Sequence, residues 1–113
     1  IVVVVISGRR SDAVARRMHE LGVEQVFLGI EDKVSTFEAL RSQLKIPTQQ
    51  TAYVGDDVPD LALLQKVGIA IGVGNAHPDI VGACDWITAH SGGQGAVREI
   101  CDTLLSARSG PAL

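Results

Sequence analysis

The sequence is poor in aromatics and has no clustered histidine or cysteine. Two Phe, one Tyr and one Trp in 113 residues leave the core to Val, Ile, Leu and Ala. Cys84 and Cys101 stand far apart in apolar contexts, without metal-ligand spacing or a disulfide framework, so both read as reduced structural thiols. His19, in an amphipathic helix, and His90, in a loop, have no companion His/Cys set. No apolar run reaches transmembrane length. The run Ile1–Ile6 has no basic segment before it and no cleavage site after it, so it is not expected to be a signal peptide. Nor is there an excess of positive charge: the net charge is −3, and Arg9–Arg10 and Arg16–Arg17 are the only adjacent basic pairs. That balance argues against a nucleic-acid or membrane-surface partner. With 46% hydrophobic and 20% charged residues, the composition is that of an ordinary globular protein, expected in the cytoplasm.

What is present is a rhythm of strand and helix. Ile1–Ile6 is a run of six consecutive β-branched residues and reads as a parallel strand buried on both faces. The sequence enters that run directly, without a Met, which leads us to expect an element ahead of it. A helix capped by Ser11 or Asp12 runs to about Leu21, with Val14, Met18 and Leu21 as its stripe and Gly22 as its stop. Gln25–Leu28 is a second strand. Asp32 or Lys33 opens a helix to about Leu44 with the stripe Val34, Phe37, Leu40, Leu44, and Pro47 blocks its continuation. Thr51–Val54 is a third strand. Pro59 begins a helix through Leu61, Leu64 and Val67 that Gly68 ends. Ile69–Val73 and Asp85–Thr88 are strands on either side of a short helix, His77–Val81. Gly92-Gly93-Gln94-Gly95 leads into a last helix to about Leu105, with Val97, Ile100, Cys101, Leu104 and Leu105 on one broad stripe. The expected fold is α/β, a Rossmann-like three-layer sandwich with a mostly parallel sheet, as one domain over 1–105 and a flexible tail over 106–113. Ligands of such sheets bind beyond the carboxyl ends of the strands.

Four places at that edge carry chemistry. Ser7-Gly8 offers a hydroxyl and backbone N–H groups to an anion, or is a plain turn with a capping serine. Arg9 either reaches the anion or lies on the rim. Lys33 opens a helix against the dipole preference. It could neutralise a phosphate, or be a surface lysine beside Glu31 and Asp32. Gly55-Asp56-Asp57-Val58-Pro59-Asp60 is the strongest local signal. Three carboxylates within five residues repel one another unless a cation joins them, and hard oxygen ligands suit Mg²⁺. The alternative is helix capping by Asp56 or Asp57, with Asp60 in the first turn. Asn75 fixes its loop or caps a helix, and His77 is a rim residue rather than a base.

Taken in order, Ser7-Gly8-Arg9, Lys33 and Gly55-Asp56-Asp57 with Asp60 resemble motifs II, III and IV of the haloacid dehalogenase superfamily. No cap domain fits between them. More narrowly, the stretches ISGRRSDAVARRMHELGVEQVFLGIEDK, AYVGDDVPDLALLQKVGIAIGVGNAHP and GGQGAVREICD resemble the capless 3-deoxy-D-manno-octulosonate 8-phosphate (KDO 8-phosphate) phosphatase family. The resemblance implies a magnesium-dependent phosphatase of lipopolysaccharide sugar synthesis, assembled as a cytoplasmic homotetramer. It implies that Ser7 and the Gly8 backbone bind the phosphoryl group, that Lys33 holds it, and that Asp56 ligates Mg²⁺. Asp57, Asp60, Arg9 and Asn75 would support them. The family's motif I, Asp-x-Asp, supplies nucleophile and acid/base. It has no counterpart in Ile1–Ile6, which holds no acid, so this chain alone is expected to be inactive. Gln94 stands where the family often has a basic residue. The competing expectations are an inactive binding or assembly module, a domain fused to a nucleotidyltransferase, and a phosphatase for a nonulosonate 9-phosphate.

Overall fold

Strands joined through helices pair in parallel, and every strand described does so. The computed structural model describes residues 2–109. In chain order the elements are β1 (Val4–Ile6), α1 (Asp12–Glu20), β2 (Gln25–Phe27), α2 (Lys33–Leu44), β3 (Ala52–Gly55), α3 (Leu61–Leu64), β4 (Ile69–Gly72), α4 (Pro78–Val81), β5 (Trp86–Ile87) and α5 (Ala96–Ser109). Single 3-10 turns cover Thr48–Gln50 and Val58–Asp60. The expected single sheet is two hydrogen-bonded sheets, β1-β2 and β3-β4-β5. Correspondingly, the chain divides between Lys45 and Ile46 into two compact units, each holding one sheet.

In the first unit, Val5 pairs with Val26 and Ile6 with Phe27. α1 starts where Ser11 Oγ accepts the Val14 N–H at 3.2 Å. It ends where Gly22, at φ +76°, donates to the His19 carbonyl at 3.0 Å. Its stripe is less covered than the sequence suggests: Val14 and Leu21 are exposed, and α1 buries no residue fully. α2 is capped by Asp32 and buries Leu40. It stops at Lys45, which takes the left-handed conformation at φ 56°, two residues before Pro47. β1 also departs from expectation. Val2 and Val3 are over half exposed and precede the strand rather than lying in a buried one. The physical reason is that β1 pairs with β2 alone among the described strands. Ile1 lies outside the described residues.

The second unit holds the better core. Leu64, Ala70 and Ile80 form its centre, with Tyr53, Leu61, Val67, Ala76 and Cys84 packed against it. Ile80 is fully buried, which contributes about 1.5–3 kcal/mol from apolar surface alone. The helix expected from Pro59 to Val67 is a 3-10 turn followed by the single turn α3. The broad stripe on α5 narrows to Ala96 and Ile100, which are buried, and the half-buried Leu104. Val97, Cys101 and Leu105 face outward. The backbone of α5 stays helical to Ser109, past the point where the sequence placed the tail. No glycine or proline interrupts it before Gly110. The remaining tail residues, 110–113, lie outside the described residues.

Candidate functional site

In the first unit, the loops that follow β1 and β2 leave the same sheet edge and are laced together. Ser7 N–H donates to the Phe27 carbonyl at 2.9 Å, Ile30 N–H to the Ser7 carbonyl at 2.9 Å, and Gly29 N–H to the Arg9 carbonyl at 3.1 Å. Ser7 Oγ accepts the Arg9 N–H at 3.2 Å, an arrangement that uses a lone pair of the hydroxyl and not its proton. Gly8 is exposed, and a Cβ there would meet only the Ile30 carbonyl at 3.6 Å, so packing within the chain does not demand glycine. Gly29 is different. Its φ is +68°, and a Cβ would stand 2.7 Å from Arg10 Nε, because the Arg10 side chain lies across it. Sequence reasoning missed this contact, although an isolated glycine between Leu28 and Ile30 was its signal. Lys33 is half-buried at the first position of α2. Beside it, Asp32 accepts the Ser35 N–H at 3.1 Å and the Ser35 hydroxyl at 2.8 Å. These bonds, the backbone one first, hold its carboxyl below the usual 3.8.

In the second unit, the loops after β3, β4 and β5 share the carboxyl edge of the three-stranded sheet. The three acids after β3 have three different environments. Asp60 is almost wholly buried at 4% exposure. Its Oδ1 accepts the Tyr53 hydroxyl at 2.6 Å, and its Oδ2 accepts the backbone N–H groups of Asp56 at 3.0 Å and Asp57 at 3.3 Å. Asp57 caps the 3-10 turn, accepting the Val58 N–H at 2.7 Å and forming a capping box with Asp60. Asp56 projects an exposed side chain from the loop. Partial desolvation, then its hydrogen bond to Asp60 and the negative charges of Asp60 and Asp57, raise its carboxyl above the usual range. Gly55 makes this arrangement possible, since a Cβ there would stand 2.8 Å from Asp60 Cβ. The capping alternative therefore holds for Asp57, with Asp60 bracing the loop from beneath, while the Asp56 side chain stays exposed.

The other two loops brace this edge. His77 N–H donates to the Asp56 carbonyl at 2.8 Å, and its ring Nδ1 accepts the Asp79 N–H at 3.0 Å as the cap of α4. Asn75 Oδ1 accepts the Gly92 N–H at 2.8 Å, tying the β4 loop to the glycine-rich turn. Gly74 N–H donates to the His90 carbonyl at 3.0 Å. Glu99, on α5, accepts the N–H groups of Ala89 and His90 at 3.0 and 2.9 Å and lies 2.7 Å from His90 Nδ1. Tyr53, Glu99 and the His77 backbone were not singled out from sequence as parts of the site. Only a carboxylate's burial and a strand's facing could identify them.

An open cavity of about 630 Å³ in the first unit, lined by Ala15, His19, Val23, Glu24, Val26 and Leu28, contains none of the candidate residues. Among the described residues no three His, Cys, Asp or Glu side chains converge on a metal position. Mg²⁺ asks for less, since it keeps several waters and takes one or two protein carboxylates. The donor set fits that need to the extent of one ligand, Asp56, whose like-charged neighbours a cation would offset.

Comparison with known proteins follows the same lines. Residues 29–100 match the haloacid dehalogenase-like hydrolase family. The chain is 40% identical over 108 residues to 3-deoxy-D-manno-octulosonate 8-phosphate phosphatase of Escherichia coli, covering 96% of this chain and 57% of that protein's length. It is similar to the crystal structure of that phosphatase from Moraxella catarrhalis in complex with magnesium, phosphate and KDO. The TM-score is 0.89 at 39% identity, over 93% of this chain and 60% of the other. The cobalt-bound enzyme of Haemophilus influenzae gives a TM-score of 0.89 at 36% identity, over 95% and 63%. The chain thus spans a little over half the length of the curated relative it matches. The family match covers most of the sequence, including the loop that presents Asp56, and this chain belongs to the haloacid dehalogenase-like hydrolase family.

Proposed function

We propose that this chain carries the phosphate-, lysine- and metal-binding parts of a Mg²⁺-dependent phosphatase acting on a sugar phosphate monoester, with 3-deoxy-D-manno-octulosonate 8-phosphate as substrate. The observation that carries the reading is the division of labour among the acids after β3. Asp57 and Asp60 bond the backbone of the loop, and Asp56, beside them, has an exposed side chain. The similarity to a relative solved with magnesium, phosphate and KDO supports the choice of substrate.

In this reading Ser7 donates its hydroxyl proton to a phosphoryl oxygen, for which the Arg9 N–H bond leaves it oriented. The Gly8 N–H, on an exposed turn, adds a backbone donor. Lys33 holds the phosphate and offsets the charge that gathers on its oxygens as transfer proceeds. Asp56 holds Mg²⁺, with Asp57, Asp60 and Asn75 keeping its loop in place and Arg9 at the rim. When bound, the ion supplies electrostatic stabilisation of the transferring phosphoryl group. Neither nucleophile nor acid/base is found in residues 1–6, so the covalent step needs an Asp-x-Asp strand from outside this sequence. A cytoplasmic homotetramer belongs to the same proposal, and the outward-facing Val97 and Leu105 offer apolar surface for association.

The test is phosphate release by the complete product of the gene, with Mg²⁺, on KDO 8-phosphate and on a nonulosonate 9-phosphate. Lys33→Ala and the 113-residue chain run beside it, and light scattering gives the assembly. We expect turnover of the first substrate, a loss of about 10²–10³-fold in Lys33→Ala, and none from the 113-residue chain. If the complete product releases no phosphate from either substrate, the binding-module alternative replaces the enzyme.

A further inference from the structure

A carboxylate that projects from a loop binds a small, geometrically demanding cation well only if the loop itself is fixed. We propose that Tyr53 is a positioning residue for the metal site: its phenol fixes Asp60, and Asp60 fixes the backbone from which Asp56 projects. The inference rests on the reading of Asp56 as a Mg²⁺ ligand and adds a residue that neither the motif nor the family match singles out.

The chain of contacts is short and continuous. Tyr53 lies on β3, packed against the core cluster of Leu64, Ala70 and Ile80. Its hydroxyl donates to Asp60 Oδ1 at 2.6 Å. The other oxygen of Asp60 takes the Asp56 N–H at 3.0 Å and the Asp57 N–H at 3.3 Å. From the opposite side, the His77 N–H takes the Asp56 carbonyl at 2.8 Å. Asp56 is therefore gripped at both its N–H and its C=O. The grip at the N–H side is tied to the hydrophobic core through the Tyr53 phenol. Asp60 itself cannot serve as an open ligand: it is 4% exposed, both of its oxygens are engaged, and Gly55 gives it room only beneath the loop. Its burial makes the phenol bond matter, because a carboxylate oxygen that loses a donor away from water keeps its desolvation cost and seeks another partner. Without Tyr53 Oη, Asp60 Oδ1 loses a donor at 2.6 Å, and the acceptor that Oδ2 offers the Asp56 amide is held less firmly. Groups that orient metal ligands in this way typically change metal affinity by about 10–100-fold when removed.

The experiment measures Mg²⁺ affinity by titration calorimetry on the complete product of the gene, together with the melting temperature in EDTA. The variants are Tyr53→Phe, Asp60→Asn and Asp56→Asn. We expect Asp56→Asn to abolish measurable binding. Tyr53→Phe should weaken binding by about 10-fold, and Asp60→Asn by at least as much. A phenol that merely supports the fold would lower the melting temperature in EDTA and leave the affinity of the folded protein at the parent value, and that result overturns the inference. Should Tyr53→Phe fail to fold, parent-like affinity in Asp60→Asn overturns it equally. If Asp56→Asn itself binds Mg²⁺ like the parent, the metal reading falls and the strut falls with it. Loss in Asp56→Asn with parent-like affinity in the other two sinks the strut alone.

Discussion

Replacing Gly55 by alanine tests the packing on which the acidic loop depends. Gly55 ends β3 and is buried. Its φ is not positive, so the backbone raises no objection to a side chain. The obstacle is steric. A Cβ would stand 2.8 Å from Asp60 Cβ, 3.1 Å from Leu64 Cδ1 and 3.2 Å from Asp60 Cγ. Asp60 cannot easily retreat, because Tyr53 Oη at 2.6 Å and the Asp56 amide at 3.0 Å hold it from two sides. Leu64 is 2% exposed and packs in the core cluster with Ala70 and Ile80. Overpacking of this kind costs about 1–3 kcal/mol, and a disturbed hydrogen bond of Asp60 adds about 0.5–1.5 kcal/mol. The expected destabilisation is therefore about 1.5–4.5 kcal/mol. Urea unfolding followed by fluorescence reads it in the right place, since the sole tryptophan, Trp86, lies on β5 of the same unit. Gly82→Ala is the control: nothing lies within 4 Å of its Cβ position, and it should be neutral or stabilising by up to about 1 kcal/mol. A Gly55→Ala chain within about 0.5 kcal/mol of the parent, the range of ordinary surface substitutions, would refute the close approach of Asp60 to the strand end.

Three further outcomes follow from local geometry. Glu99 is held below its usual 4.5 mainly by the Ala89 N–H, then by His90. The stabilisation it gives is therefore complete above 4.5 and lost as pH falls through the lowered value. The melting-temperature gap between parent and Glu99→Gln should be constant at neutral pH and close only in acid; a gap that instead closes between pH 6 and 8 would contradict the sign. Lys45→Gly relieves a left-handed lysine at the end of α2 and should raise stability by about 1 kcal/mol in chemical unfolding. No gain would mean that the Lys45 side chain contributes as much as its backbone costs. Finally, Cys101 is exposed, while partial burial and the nearby Asp85 push the Cys84 thiol upward, and Cys84 Sγ donates to the Ile80 carbonyl at 3.3 Å. Mass spectrometry after brief iodoacetamide treatment should find Cys101 alkylated well before Cys84; equal rates would speak against the packing of Cys84.

Much of this protein was legible from local physics. β-Branched runs marked the strands, and Ser11, Asp32 and Gly22 marked helix ends, because a cap or a left-handed stop is decided by the residue itself. The alternation of elements implied parallel sheets, and the order of Ser7, Lys33 and Asp56 implied a phosphatase family that the comparison bears out at the level of haloacid dehalogenase-like hydrolases. Other features belong to the tertiary structure alone. Three adjacent carboxylates are alike in sequence, and only burial tells them apart: Asp60 is drawn under the β3 end by Tyr53 and by the space at Gly55, Asp57 caps a turn, and Asp56 is left outward. The split of the sheet between Lys45 and Ile46, and the exposure of Val2, Val3 and Val97, were equally out of reach. Periodicity says which residues share a face of a strand or helix, but what covers that face is decided by contacts distant in sequence.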